Sequence, residues 1–221
     1  RRRRAKQALA VFAGVDITES EEIWPGLAPP YGPLFAWLEG RGEKPAQSGP
    51  LWFRPVMLAH PLEPEDQARL ALADFAVEWK WDGARVQVLR TAAGAVRIYT
   101  RTGEDITGGF PDLAAELQFE GVIDGELLIR AADGTVAPFN ALQQRLNRKT
   151  VDAKLMALHP AFVRAYDLLV EGTTDLRGEP LRARRGRLQQ LVARVGGPRL
   201  DLSPLVEGGS DWAALEALRA T

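Results

Sequence analysis

An amine, a carboxylate and a guanidinium crowd one short run of this chain: Lys80, Asp82 and Arg85 within EWKWDGARVQ, residues 78–87. The surrounding residues alternate as a half-buried strand does, and such a strand has no structural need for three charges. A lysine amine attacks an electrophile only when neutral, and a free lysine titrates near ~10.4. Burial beside Trp79 and Trp81, with a cation such as Arg85 nearby, would favour the neutral form. On a regular strand, however, side chains 79 and 81 face away from 80. A solvent-facing lysine on an edge strand is therefore the competing reading.

Other polar groups stand in equally apolar settings. Glu78, two residues before Lys80, shares a strand face with it, either to bind a ligand or to form a cross-strand ion pair. Asp124 and Glu126 lie on one face of GVIDGELLIR, and a buried carboxylate needs a partner. Arg85, and Arg101 in YTRTGEDITGGFPDL, offer permanent charge and bidentate contacts to phosphate oxygens. Gly83 lets the chain turn or approach a ligand closely, and Asp82 suits a turn before glycine. Arg145, Arg148 and Lys149 in RLNRK are basic groups that either meet a polyanion or form a solvated face. The same holds for Arg182, Arg184, Arg185 and Arg187 in LRARRGRLQQLVARV, with Glu179 neutralising part of that helix. His60 and His159 lack metal-ligand spacing and read as structural.

The elements that must position these groups follow from patterning. AKQALAVFA ends a helix, and caps with Pro and Gly stops predict two or three short helices within residues 4–40. GRGEKPAQSGP, residues 40–50, reads as a linker. Strands are expected at FAVEWKW, ARVQVLR, AVRIYT, GVIDGELLIR, AFVRAYDLLV and RLDLSPLV. Helices are expected at PDLAAELQ, FNALQQRLN, VDAKLMAL, the basic stretch 181–195 and SDWAALEALRA. Hairpin-like links mix strands and helices, which favours an α+β class. The 221 residues carry a net charge of −1, so any polyanion contact must come from a local patch. With no cysteine, thiolate metal sites and cysteine nucleophiles are excluded and a reducing compartment, the cytoplasm, is expected. No apolar run approaches the ~20 residues of a membrane span.

KWDGAR resembles the nucleotidyl-lysine motif of ATP-dependent DNA ligases and of their relatives, the RNA ligases and mRNA capping enzymes. YTRTGEDITGGFPDL, VIDGELLI and VRAYDLLVEG look like further motifs of that superfamily, in its order. FNALQQRLNRK resembles a phrase of DNA ligases rather than of capping enzymes, and EEIWPGLAPPYGPLFAWLEG and RPVMLAHPL are like the bacterial branch of these ligases. The resemblance implies a nucleotidyltransferase (ATP-grasp-like) domain of twisted antiparallel sheets flanked by helices. It implies Lys80 as the adenylylated nucleophile and Glu78, Arg85, Arg101, Glu126 and Tyr166 as ATP- or AMP-binding residues. Tyr166 would stack on the purine, Glu78 would meet its amino group, and Glu126 would hold ribose hydroxyls or Mg2+. Nicked double-stranded DNA is the implied substrate, with Arg145, Arg148 and Lys149 as backbone contacts. Replication, repair and recombination are the implied settings.

Two later motifs, E-G-x-x-x-K and K-x-K, are not matched, since Glu207-Gly208 leads into GSDW. The chain also does not begin with Met. It is expected to be a fragment: residues 1–45 the remnant of a helical DNA-binding domain plus linker, residues 46–221 an adenylation domain short of its last motifs, with no OB-fold. Self-adenylylation by such a fragment is expected to be weak or absent. An RNA ligase or capping-type nucleotidyltransferase, or a non-catalytic nucleotide- or DNA-binding fragment, is the alternative.

Overall fold

The computed structural model describes residues 2–24, 27, 30–45, 52–146, 148–207 and 211–219. Three helices come first: α1 (Arg2–Ala13), α2 (Ile17–Ile23) and α3 (Gly32–Leu38). They share a small core of Ile23, Leu34 and Leu38, with Leu9, Val15, Trp24 and Trp37 against it. The second part of the expected linker, residues 46–50, lies outside the described residues.

The α+β expectation holds. Six strands form one sheet: β1 (Ala84–Arg90), β2 (Val96–Thr100), β3 (Gly121–Ile129), β4 (Ala161–Glu171), β5 (Thr174–Asp175) and β6 (Leu200–Leu202). The order is β2-β1-β3-β4-β5, and β6 adds to β4. Among the described residues every pairing in it is antiparallel except β4 with β6, in keeping with the antiparallel sheet and flanking helices expected. The remaining helices are α4 (Pro64–Arg69), α5 (Pro111–Glu116), α6 (Phe139–Leu146), α7 (Ala153–Leu158), α8 (Leu181–Val195) and α9 (Trp212–Arg219). Among the described residues no helix is long and apolar enough to cross a membrane.

Alternation divides the sheet into two faces. Val86, Val88, Ile98, Ile123, Leu127, Ile129, Val163 and Ala165 point to one side, where Leu113 of α5, Leu142 of α6 and Leu188 and Leu191 of α8 cover them. Each such fully buried side chain contributes roughly 2 kcal/mol of transfer free energy. The other face carries Arg85, Gln87 and Leu89 of β1 opposite Glu126, Asp124 and Val122 of β3. This face holds the charges that the apolar core cannot accept.

Two register shifts mark the β3–β4 ladder, between Val122 and Ile123 and between Asp124 and Gly125. At the second, the partner changes from Asp167 to Ala165, which leaves Tyr166 unpaired. Such a bulge re-aims side chains. Tyr166 bonds to Asp124 on the polar face, while Asp167 binds Arg184 of α8, with Nε and Nη2 at 2.9 and 2.8 Å. Gly125 is required there, because a Cβ would sit 2.7 Å from the Arg164 carbonyl oxygen.

Candidate functional site

The strand expected over FAVEWKW does not form. In place of a ladder, residues 76–83 carry an isolated bridge between Glu78 and Leu205 and a bond from the Val206 amide to the Val77 carbonyl. From that bridge, just past β6, the chain crosses the polar face. Trp81 lies over the Arg164 guanidinium of β4 at 4.2 Å and donates its indole N–H to Ser203 Oγ at 2.9 Å. Gly83 presses on β3, where a Cβ would come 2.5 Å from the Leu127 carbonyl oxygen and 2.8 Å from Glu126 Cγ. Chain entry into β1 follows, with Ala84 opposite Leu127. Side chains rather than a ladder hold this crossing, because the sequence offers stacking and close approach where a strand would offer amides.

Lys80 stands on the crossing, exposed, with no hydrogen bond or ion pair to a described residue. Burial between tryptophans is therefore not what surrounds it, since Trp79 is 43% exposed. Nor do Glu78 and Lys80 share a strand face. Asp82 is exposed and makes no hydrogen bond to a described residue, so it does not organise the turn expected of it.

A second segment crosses the same face from the other side. The Arg54 amide donates to Gln87 Oε1 at 3.0 Å, and Gln87 Nε2 donates to the Arg54 carbonyl at 2.8 Å. Phe53 meets Tyr99 of β2 edge-on, and Met57 offers its carbonyl to Arg85 Nη1 at 2.8 Å. Between the two crossings lies a polar patch of Arg85, Asp124, Glu126 and Tyr166.

Within the patch the partners are unequal. Arg85 grips buried Asp124 side-on, Nε to Oδ1 at 3.1 Å and Nη2 to Oδ2 at 2.8 Å. Burial pushes the Asp124 carboxyl up and the Arg85 contact pulls it back. Burial also acts downward on Arg85, but Asp124 outweighs it and the guanidinium ends above its ordinary range. A bidentate contact of this geometry keeps the pair ionised at neutral pH. Tyr166 hydrogen bonds to Asp124 as well, and burial raises its phenol strongly. Its ring lies 5.8 Å from the Arg85 guanidinium carbon.

Glu126 sits directly across from Arg85 in register, yet it hydrogen bonds to no described residue. Burial pushes its carboxyl up to about 7, with Lys80 and then Arg85 pulling against that rise. The lysine is thus an electrostatic neighbour of this carboxylate. Glu126 is the acid left open to a cation or hydroxyl, while Asp124 is saturated by Arg85.

Arg101 is exposed in the turn that follows β2, one residue beyond the last β1–β2 pair, Val86–Thr100. Glu78 binds through Oε1 to Arg185 Nη1 at 2.8 Å and hydrogen bonds to no member of the patch. His60 is exposed, and the His159 carbonyl caps Arg145. No metal-holding cluster of three or more such side chains occurs among the described residues.

The basic groups are where expectation and structure part. Arg145 is fully buried, donating to the Gly109 carbonyl, the His159 carbonyl and Asp112, with Phe110 against its guanidinium. It cannot touch a DNA backbone. Arg148 and Lys149 remain exposed. Arg184 and Arg185 are buried in ion pairs with Asp167 and Glu78, and Arg187 pairs with Glu171, so only Arg182 of that cluster is solvent-facing without such a pair. Sequence reading missed Trp81, Arg164 and the 52–57 crossing. Trp81 carried a signal in its place beside Lys80; Arg164 carried none.

Residues 56–209 match the model of the ATP dependent DNA ligase domain. A probable DNA ligase of Anaeromyxobacter dehalogenans is 32% identical over 161 residues, 71% of this chain and 31% of that protein. A DNA ligase of Pyrobaculum calidifontis is 32% identical over 162 residues, 70% of this chain and 27% of that protein. The chain thus spans about a third or less of the curated relatives it matches. A solved mycobacterial DNA ligase D, complexed with ATP and MES, is 29% identical, covers 66% of this chain and 44% of its own, and superposes with a TM-score of 0.48. With 56–209 of its 221 residues matched, the chain belongs to the ATP-dependent DNA ligase domain family.

Proposed function

We propose that this chain is the adenylation part of a longer ATP-dependent DNA ligase in which Lys80 is the nucleophile. In this reading residues 1–45 belong to a helical DNA-binding part and residues 46–221 to the adenylation domain, with the later motifs and an OB-fold supplied by the parent enzyme. The supporting observation is an exposed amine on a crossing loop, electrostatically coupled to Glu126 and facing a patch with Arg85 and Tyr166.

Lys80 in its neutral form attacks the α-phosphorus of ATP. An N–P bond forms as the P–O bond to pyrophosphate breaks, and the amine proton passes to solvent. AMP then moves to the 5′-phosphate of a DNA nick, and the 3′-hydroxyl displaces it to seal the strand. Tyr166 flanks the purine, and Glu78 accepts from its amino group. Arg85 and Arg101 hold phosphate and ribose oxygens in line for attack. Arg148 and Lys149 stand on the surface as backbone contacts for nicked duplex DNA.

Glu126 suits Mg2+, which characteristically takes one or two protein carboxylates and completes its shell with phosphate oxygens and water. When bound, Mg2+ neutralises phosphate charge and lowers the barrier to displacement. Glu126 also has the ribose hydroxyls as alternative donors. The reducing, cytoplasmic setting suits a cysteine-free chain.

The test is labelled ATP with Mg2+ and the full-length parent enzyme, followed by mapping of the label. Label on Lys80, lost in Lys80→Met, is expected; label elsewhere, or label that survives that substitution, would overturn the reading. The chain alone is expected to label weakly or not at all.

A further inference from the structure

Arg185 is buried in α8, far in sequence from the crossing loop, and yet two of its nitrogens bind at that loop's anchor point. Nη1 binds Glu78 Oε1 at 2.8 Å, and Nη2 donates to the Ser203 carbonyl. Nε is buried without a hydrogen-bond partner. Ser203 is itself pinned, its amide bonded to the Ala165 carbonyl at 2.8 Å and its hydroxyl to Trp81. The guanidinium therefore has one orientation, and it dictates that of Glu78. The Glu78 side chain is 35% exposed, against 8% for Arg185, and its second oxygen bonds to no described residue. One oxygen is tied inward and the other is left for a ligand.

We infer that Arg185 is a specificity-determining positioning residue, holding Glu78 as an oriented acceptor that selects an adenine amino group over a guanine carbonyl. This rests on the reading of the chain as an adenylation domain. A carboxylate only accepts hydrogen bonds, so it pairs with the adenine amino group and repels the guanine oxygen. A neutral carboxylic acid also donates, and loses that discrimination. Burial pushes the Glu78 carboxyl up, Arg185 pulls against that rise and Asp167 adds to it, so the group ends above its ordinary range with Arg185 as the opposing charge. Without it the selection weakens even if the fold survives.

The experiment is single-turnover lysyl-AMP and lysyl-GMP formation by the full-length enzyme, comparing wild type, Glu78→Gln, Arg185→Met, Arg185→Lys and the double variant Glu78→Gln/Arg185→Met. Glu78→Gln and Arg185→Met are each expected to narrow the ATP-over-GTP ratio by about tenfold, the size of one charge-assisted hydrogen bond. The double variant adds little to either, and Arg185→Lys restores part of the ratio. A merely structural role would lower both nucleotides together. Thus an unchanged ratio in Arg185→Met, beside a narrowed one in Glu78→Gln, overturns the role of Arg185. An unchanged ratio in both overturns base selection by Glu78 but leaves Lys80 chemistry standing. Absence of any label in wild type overturns the functional reading beneath.

Discussion

Arg85 and Asp124 meet side-on across the β1–β3 ladder, and the same carboxylate bonds to the Tyr166 hydroxyl. One buried acid therefore fixes both a phosphate-binding candidate and a purine-stacking candidate. Asp124 is 3% exposed in its side chain and Arg85 25%, so the pair is largely desolvated. Asp124→Asn is expected to lower stability by about 3 kcal/mol, because Arg85 is left under-paired. Urea unfolding measures this, and a midpoint equal to wild type would refute it. Nucleotide binding by the parent enzyme should weaken in the same variant, with Arg85 and Tyr166 both released.

Glu126 gives a pH dependence with a definite sign. Its carboxyl is raised from 4.5 to about 7 in the folded chain. The fold therefore prefers the protonated form, and Glu126 contributes stability that is full below 4.5 and is lost as pH rises through about 7. Glu126→Gln should flatten the fall in urea midpoint across that window. A variant whose midpoint tracks wild type at every pH would exclude Glu126 as the titrating group. Lys80→Met removes the cation that pulls the carboxyl down, and so should move the window upward.

Arg145 and its neighbours in RLNRK should separate cleanly. Arg145→Ala is expected to destabilise the chain by about 3–5 kcal/mol, since it strips a fully buried ionic centre. Arg148→Ala and Lys149→Ala should change stability by less than about 0.5 kcal/mol. In the parent enzyme those two should instead weaken nicked-duplex binding and reduce its salt dependence. Gel-shift titrations at two salt concentrations, beside denaturation curves, would distinguish the pattern from its reverse.

Gly83→Ala tests the contact between the Lys80 loop and β3. The added Cβ has no room against the Leu127 carbonyl and Glu126 Cγ, so the loop must lift. Lysyl-AMP formation by the parent enzyme should fall about a hundredfold, as for a nucleophile displaced by an ångström. Since the loop contributes few backbone bonds to the sheet, the melting temperature should move much less. Wild-type adenylylation in this variant would show that the close approach does not set the position of Lys80.

Most elements were legible because their patterning is local. GVIDGELLIR and AFVRAYDLLV are predominantly apolar runs with a few charges set among them, and they form strands β3 and β4. The helices at PDLAAELQ, FNALQQRLN and 181–195 also fall where periodicity puts them. FAVEWKW misled because its alternation serves Trp81 and Gly83 contacts across the sheet rather than a ladder. The arginines misled for a related reason. Arg145, Arg184 and Arg185 lie on helices whose polar faces turn inward toward Asp112, Asp167 and Glu78, each remote in sequence. The candidate site residues Lys80, Arg85, Glu126 and Tyr166 stand out in the sequence as motif positions. The division of labour between Asp124 and Glu126 depends on the β1–β3 register, which no single stretch encodes.

The crossing of residues 78–83 over the sheet has a mechanical consequence. A lysine woven into a ladder could change its pose only by unzipping amide pairs. Here it is moored at three points, through Glu78, Trp81 and Gly83, and the tether between them is short of rungs. Re-aiming the amine there breaks few amide pairs, while the scaffold beneath keeps every strand in register.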